Sequence, residues 1–478
     1  MNIANVLTGK DHDRIALIDG SDSLTYGELA NMSVELGETI SALVGEGQRI
    51  AVIIDKKMEY FIAYFATLLS GNCVVPISPS LSRNEIKHEL SFCEVAMVIS
   101  TDIEDEELAP HAGLLKLSVS QSRLTFQVLK SGKACPNKLR DVAILLPSSG
   151  TTSKPKRVMH SHDNILTNAT MHIQSLGLSS DDDTCLVLPF GFGYCNTSQI
   201  VAHLMLGTKM ILFKGLFNPS SFFQLVESHR IRVTTVVPTM LRLMLNSANW
   251  NNHDLSSLRY LIVGGSRVTP DLASEFMDKK PTGCRLVQTY GLTEAGPRVT
   301  TNIMDDPTDL SVGKALPGVE IFIAGENGVF LGPRETGEIA IKSPTLMLGY
   351  FKNETETSKS LRNGLLYTGD HGYLDENGDL FLVGRKKGIV SRGGKKFHVE
   401  DVEEVLHRCP AVKECRVIIE NESGIDDVLV AEIVLGDGHE LQEVIDYCKR
   451  NLSPHKIPQK LNKVDLIAKT HTGKTKRY

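Results

Sequence analysis

The sequence predicts an α/β protein: a large N-terminal domain of helix-covered sheets with a β-rich subdomain, then a small α+β C-terminal domain. Three observations carry this. Apolar strand-like runs alternate with helical periodicity from residue 49 to residue 265. After about residue 310 the texture changes to short strands between Gly-rich turns. And 478 residues exceed what one hydrophobic core usually supports, so two or three domains are expected.

Taken in order, residues 49–54 (Arg-Ile-Ala-Val-Ile-Ile) read as a buried strand, 58–69 as a helix, and 73–77 as a strand closed by Pro76 and Pro79. The acidic stretch 102–107 reads as a solvated loop. Residues 141–146 form another short apolar strand, and His162-Asp163-Asn164 before Ile165 marks a helix start. The alternation returns at 184–189, 199–206, 209–213 and 260–265. Parallel sheets covered by helices follow from such a rhythm. Strands at 318–323 and 337–341 belong to the β-rich part. The main boundary falls at 384–388, and beyond it lie an amphipathic helix over 399–408 and a strand over 415–419.

Composition narrows the class. A formal charge of −6 and 6% aromatic residues give no general attraction to nucleic acid and few stacking platforms. The first residues lack the basic-then-apolar order of a signal peptide, and no apolar run reaches about 18 residues, so no membrane span is expected. Nine cysteines, an odd number without a Cys-x-x-Cys pair, fit reduced thiols, and a cytoplasmic location is expected.

The most informative segment is Leu146-Pro147-Ser148-Ser149-Gly150-Thr151-Thr152-Ser153-Lys154-Pro155-Lys156. Glycine permits the backbone angles of an anion nest, the hydroxyls add donors and the lysines add charge, so the run suits a polyphosphate. Placed between the strand at 141–146 and the helix start at 162, it occupies a position common to phosphate sites. A solvated surface loop has the same composition. No Gly-Lys pair follows at the offset of the Gly-x4-Gly-Lys-Ser/Thr loop.

Four further motifs follow in order: Tyr290-Gly291-Leu292-Thr293-Glu294, Tyr367-Thr368-Gly369-Asp370, Gly384-Arg385-Lys386-Lys387, and Lys469-Thr470-His471-Thr472-Gly473-Lys474. With the loop at 146–156 they make the chain resemble the adenylate-forming superfamily, which includes acyl- and aryl-CoA synthetases, adenylation domains and luciferases. The resemblance covers nearly the whole chain, down to Leu24-Thr25-Tyr26-Gly27-Glu28-Leu29, similar to the family's first helix, where Thr25 and Glu28 would form a capping box.

The resemblance implies an AMP-binding domain over 1–384, a hinge at 385–388 pivoting on Lys387, and a small mobile domain over 389–478. It implies ATP, Mg2+ and coenzyme A, or a carrier protein's phosphopantetheine, as cofactors. Ser148, Ser149, Gly150, Thr151, Thr152, Lys154 and Lys156 would hold the β- and γ-phosphates. Glu294 would ligate Mg2+ and Thr293 would donate to the α-phosphate. Thr293-Glu294 taken alone also reads as a helix cap with an acid in its first turn. Gly264, Gly265 and Ser266 would carry the purine, with Tyr290 opposite and Gly291 beside it. Asp370 would accept from the ribose hydroxyls and Arg385 would reach the ribose or α-phosphate; as a bare pattern Asp370 is also a turn residue, and Tyr290 a core residue. Lys474 would bridge the substrate carboxylate and α-phosphate as charge develops, although a lysine near a C-terminus is commonly a solvated charge.

Arg385, Lys386, Lys387, Arg392, Lys395 and Lys396 flank Gly393 and Gly394, a pattern that suits a pantetheine arm, an acidic carrier protein or a solvated basic hairpin. Phe190, Phe192, Tyr194, Pro238 and Met240 would line an apolar acid pocket, or pack in the core. The segment 189–195 has no Asp to hold an α-ammonium group, so an α-amino acid is disfavoured. Ser153 and Arg157 stand where the family usually has glycine, with an altered phosphate grip as the expectation; Ser391 replaces a lysine of many CoA ligases, and Ala468 a proline. The expected function is an acid–CoA ligase taking a small-molecule carboxylic acid. The alternatives are a stand-alone enzyme loading an acyl carrier protein and a catalytically silent AMP-binding protein.

Overall fold

A computed structural model describes residues 2–469 apart from 56, 103–111, 133, 135, 136, 149–155, 267, 327, 386–388, 393, 394 and 421–427, with the backbone alone at 385, 389, 391, 392, 395, 396 and 455. It divides into two compact units: Met1–Ser148, Pro155–Glu320 and Lys342–Leu366 form the first, and Ser149–Lys154, Ile321–Ile341 and Tyr367–Tyr478 the second.

The first unit holds two large sheets. One has the order Gly349–Tyr350, Arg157–His160, Ile144–Pro147, Cys73–Pro76, Arg49–Ile53, Met97–Ser100, Gly113–Ser120, Arg123–Lys130. The other runs Lys314–Ala315, Thr300–Met304, Arg285–Gln288, Tyr260–Val263, Val233–Val236, Thr184–Leu186, Met210–Leu212, Ile15–Asp19, Asp22–Thr25. Their central strands pair in parallel and their edges antiparallel. Central strands such as Arg49–Ile53 and Tyr260–Val263 are buried at every position, which is why they read as continuous apolar runs. The helix Met58–Leu69, apolar almost all round, is buried along nearly its whole length and joins residues of both sheets in one core cluster.

Helix starts follow the side-chain chemistry. Thr25 caps the helix Tyr26–Val44, with Thr25 Oγ1 accepting from the Glu28 N–H and Glu28 Oε2 from the Thr25 N–H, the reciprocal box expected there. Ser161 and Asn164 do the same for the helix His162–Leu176. That helix, however, does not follow the Ser/Thr/Gly-rich loop directly. Arg157–His160 returns as a strand antiparallel to Ile144–Pro147, so the loop is the tip of a hairpin and the helix begins only after it. The alternation that marks this strand is only four residues long and was hidden by the lysines before it.

In the second unit most of a β-rich sheet is found, in the order Glu320–Ala324, Gly337–Lys342, Leu365–Leu374, with Leu380–Arg385 also paired to Leu365–Leu374. The expected strands at 318–323 and 337–341 correspond to its first two. Further on, Ile389–Arg392 pairs with Lys395–His398, and Val412–Glu420, Val428–Leu435 and Lys460–Lys463 form a three-stranded sheet. Val402, Leu406, Val417, Ala431, Val444 and Cys448 pack a separate core there, against the helices Val399–His407 and Leu441–Asn451. Of the expected acidic loop at 102–107, only Asp102 is among the described residues. No described helix is long and apolar enough to cross a membrane.

Candidate active site

The glycine- and hydroxyl-rich loop is anchored at its two ends. The Ser148 N–H donates to the Lys156 carbonyl at 2.9 Å, closing the hairpin. Ser148 is buried, and its hydroxyl has no hydrogen-bond partner among the described residues, a donor left over at the mouth of the loop. Ser149, Gly150, Thr151, Thr152 and Lys154 lie outside the described residues. Lys156 is committed to protein contacts: its Nζ is 2.6 Å from Glu356 Oε2 and 4.7 Å from the Tyr350 ring centroid. The Lys156 ammonium, then that of Lys359, pull the Glu356 carboxyl down to about 2.

Arg157 stands where the family usually has glycine, and its side chain is taken up by the sheet. It is buried, its Nε and Nη2 lie 2.8 and 2.7 Å from Glu89, and its Nη1 donates to the carbonyls of Pro76 and Leu145. As the first residue of the returning strand it points into the sheet and ties it to the helix Arg83–Phe92.

Residues 290–294 leave the strand Arg285–Gln288 in a tight turn. Gly291 bridges to Arg298, and a Cβ there would stand 2.0 Å from the Pro297 carbonyl oxygen, so glycine is required by close backbone approach. Thr293–Ala295 is a single 3-10 turn. Its carbonyls are held by three groups: His160 Nε2 donates to Thr293 O at 2.7 Å, the Met347 N–H to Glu294 O, and Thr345 Oγ1 to Ala295 O. Because a carbonyl only accepts, His160 carries its proton on Nε2, and burial pushes its pKa down to about 4, keeping it neutral. The Glu294 carboxylate accepts from the Tyr350 hydroxyl at 2.9 Å. Burial, and then the Glu294 charge, push the Tyr350 phenol up, so it stays a donor. Tyr350, Thr345 and His160 were not singled out in the sequence; the only signal for Tyr350 is its place after Gly349 in a short apolar run. A partly exposed carboxylate with one oxygen held by a phenol fits Mg2+, which takes one or two protein carboxylates beside phosphate and water.

The acid-pocket residues divide. Phe190 belongs to the core, fully buried and edge-to-face with Tyr60 and Phe61 at 5.3 and 5.4 Å. Phe192 and Tyr194 are also buried and meet edge-on at 6.3 Å. Between them, a Cβ on Gly193 would touch Thr293 Oγ1 at 3.5 Å, so this segment meets the turn that carries Glu294. Tyr194 donates to or accepts from Thr289 Oγ1 at 2.7 Å, and its ring, with Thr289, fills the space a Gly264 side chain would need. Gly264 therefore makes room for Tyr194, and the less buried backbone follows at Gly265, in the left-handed region at φ 83°, and the exposed Ser266. Tyr290 is buried, with its N–H donating to Thr300 Oγ1. Pro238 opens the helix Pro238–Leu245, and Met240 packs partly buried against the core.

In the second unit Asp370 is buried within the strand Leu365–Leu374, opposite Arg385 in register, and its N–H donates to Thr368 Oγ1. Gly369 takes a left-handed φ of 73° before it. Lys387, Gly393, Gly394 and Lys474 lie outside the described residues.

The family profile described as AMP-binding enzyme matches residues 7–351, and that of the AMP-binding enzyme C-terminal domain matches 401–474. This chain belongs to the AMP-binding enzyme family. Within it the enzyme is similar to a feruloyl-CoA synthase of Amycolatopsis sp, 29% identical over 96% of this chain and 94% of that protein. It is also similar to a long-chain-fatty-acid–CoA ligase of Bacillus subtilis, 26% identical over 97% and 91%. Among solved structures, o-succinylbenzoate coenzyme A synthetase of Bacillus subtilis with ATP and magnesium superposes with a TM-score of 0.86 at 27% identity, covering 100% of this chain and 98% of that one. The enzyme is thus an AMP-forming, acyl-CoA synthetase-like ligase of the adenylate-forming fold.

Proposed function

We propose that this ligase activates a carboxylic acid with ATP to an acyl-adenylate, releasing pyrophosphate, and transfers the acyl group to the thiol of coenzyme A, releasing AMP. The observation that carries the reading is the meeting of Gly193, in the acid-pocket segment, with Thr293, beside a Glu294 carboxylate already oriented by Tyr350. Acid and nucleotide chemistry would converge at that turn. The acid's oxygen attacks the α-phosphorus, the bond from the α-phosphorus to the bridging oxygen breaks, and pyrophosphate leaves. Such a transfer is mostly positioning and charge neutralisation.

Thr293 would donate to the α-phosphate, and Ser148 with Ser149, Gly150, Thr151, Thr152 and Lys154 would hold the β- and γ-phosphates. Held at Glu294, magnesium supplies positive charge to the triphosphate. Asp370 and Arg385 would take the ribose, Lys474 the developing charge, and Gly393 and Gly394 the pantetheine path, with Lys387 as pivot. Phe192, Tyr194, Pro238 and Met240 would border the acid. The eight described cysteines are buried thiols, which fits a reducing compartment, and we place the enzyme in the cytoplasm on that ground.

An acid-library pyrophosphate-release assay with and without coenzyme A, followed by mass spectrometry, tests the reading. An acyl-CoA product is expected; release that yields thioester only with an added carrier protein would transfer the assignment to a carrier-loading enzyme.

A further inference from the structure

Arg298 is one of the largest fully buried side chains of the protein, 1% exposed. Every other described buried acid or arginine of the first unit has an opposite charge: Asp19 with Lys214, Arg49 with Glu94, Glu89 with Arg157, and Asp182 with Arg232 and Arg259. Arg298 has no anionic partner among the described residues. Its Nη2 donates to Thr301 Oγ1 at 2.6 Å, its Nη1 stands 3.4 Å from the Tyr194 hydroxyl, and its Nε is buried with no hydrogen-bond partner among the described residues. The contact to Tyr194 is long for a bond from a cation, which normally closes to about 2.7–2.9 Å. An interior guanidinium left in this state is costly unless an anion joins it.

Its surroundings are built to hold something polar. Asn168, on the helix His162–Leu176, clamps the Arg298 backbone through two bonds, accepting from its N–H and donating to its carbonyl. One turn further on, His172 lies on the same helix face, and both its ring nitrogens are buried with no hydrogen bond of ordinary geometry among the described residues. Burial first, and then the Arg298 charge, hold that imidazole neutral. The π-helix Asn196–Val201, packed against the same helix, adds further buried polar atoms without partners among the described residues: Thr197 Oγ1, Ser198 Oγ and both side-chain ends of Gln199. A native interior seldom leaves so many polar atoms unmatched in one region. Tyr194, one of the proposed acid-pocket residues, connects this region to Gly264 and Thr289.

We propose that Arg298 is the counter-charge for a second anionic group on the acid substrate, so that this ligase takes a carboxylic acid bearing a further carboxylate or sulfonate. The inference rests on the acid-activating reading above and names its substrate class. The distal anion displaces the weak Tyr194 contact and pairs with Nε and Nη1, while the reacting carboxylate stays at the Thr293 turn.

The test is pyrophosphate exchange with matched substrates: dicarboxylic acids of several lengths, their half-methyl esters, and the analogues with a distal sulfonate. Wild-type enzyme should prefer one diacid or sulfonate over its half-ester by about 100-fold or more in kcat/KM, the discrimination of a site with a buried partner group left unmatched. Arg298→Met should bring that ratio to within about threefold of one, and Arg298→Lys should retain part of the preference. Isothermal titration of the diacid into wild type holding a non-hydrolysable ATP analogue should show the same selectivity in binding, a result that needs no variant to fold. Exchange with half-esters equal to or better than with both dianionic series overturns the inference and leaves the ligase reading standing. So does an Arg298→Met enzyme, folded by circular dichroism, that loses both members of each pair alike, which would mean that Arg298 holds the reacting carboxylate. No exchange with any acid removes the ligase reading itself, and this inference with it.

Discussion

At the scale of single residues, Glu294 and Tyr350 divide one task. In the proposed function the carboxylate would be the hard oxygen for magnesium, and the phenol fixes which of its oxygens is already occupied. Glu294→Gln keeps the shape and removes the charge, so pyrophosphate release should fall about 100-fold or more. Tyr350→Phe removes one hydrogen bond of about 1 kcal/mol and should raise the KM for Mg-ATP roughly fivefold, with a steeper dependence on free magnesium and kcat held. A Tyr350→Phe enzyme whose loss is the same at all magnesium concentrations would show that the phenol acts on packing alone. Glu294 was legible because it sits inside a motif word; Tyr350 was not, because it reaches the site from 56 residues further along the chain. Phe190 shows the opposite failure. An aromatic residue at the end of a strand has one composition whether it faces a ligand or Tyr60 and Phe61, and only packing separates the two.

At the scale of elements, the returning strand Arg157–His160 explains more than the loop it closes. It turns Arg157 inward to Glu89 and sends the His160 ring to the Thr293 carbonyl, so the hairpin braces both the first sheet and the turn bearing Glu294. Arg157→Gly would restore the residue usual in the family. It would also leave Glu89 buried and unpaired, and should cost about 3–5 kcal/mol of stability with little gain in ATP affinity. Denaturant unfolding alongside an ATP titration measures both quantities; unchanged stability would return Arg157 to the phosphate loop. Long elements were legible from the sequence because periodicity accumulates with length, as in the helix Met58–Leu69. The four-residue strand was not, since four positions beside a lysine-rich loop carry too little pattern to distinguish a hairpin return from the loop's own end.

At the scale of the whole molecule, buried histidines couple folding to pH, and the proposed cycle assigns its two half-reactions to different residues. His160 and His203 are fully buried, and burial pushes each down to about 4 from an ordinary value near 6.5; His172 is lowered in the same direction. Between those values the unfolded chain binds protons that the folded chain does not, so stability is full above about pH 6.5 and falls as pH drops toward 4. Each group contributes up to about 1.4 kcal/mol per pH unit in that window. Trp250, the only tryptophan, is buried in the unit that holds all three histidines, so its fluorescence during denaturation reports that unit. His203→Gln should flatten the dependence, and an unchanged slope would place the proton uptake elsewhere. The five-motif order that made the adenylating chemistry legible runs from the loop at 146–156 to the C-terminal tail, and that spread is itself informative. Glu294 and Thr293 lie in one unit and Asp370 in the other, while Gly394 and Lys474 lie outside the described residues. If Lys474 serves only adenylation and Gly394 only thiol access, Lys474→Ala should block pyrophosphate release yet still convert supplied acyl-adenylate to thioester. Gly394→Leu should do the reverse, because a side chain there obstructs the pantetheine path without touching ATP. The two steps are measured apart, by pyrophosphate release and by consumption of synthetic adenylate with coenzyme A. Equal loss of both steps in both variants, with the fold intact, would show that one arrangement of the two units serves the whole reaction.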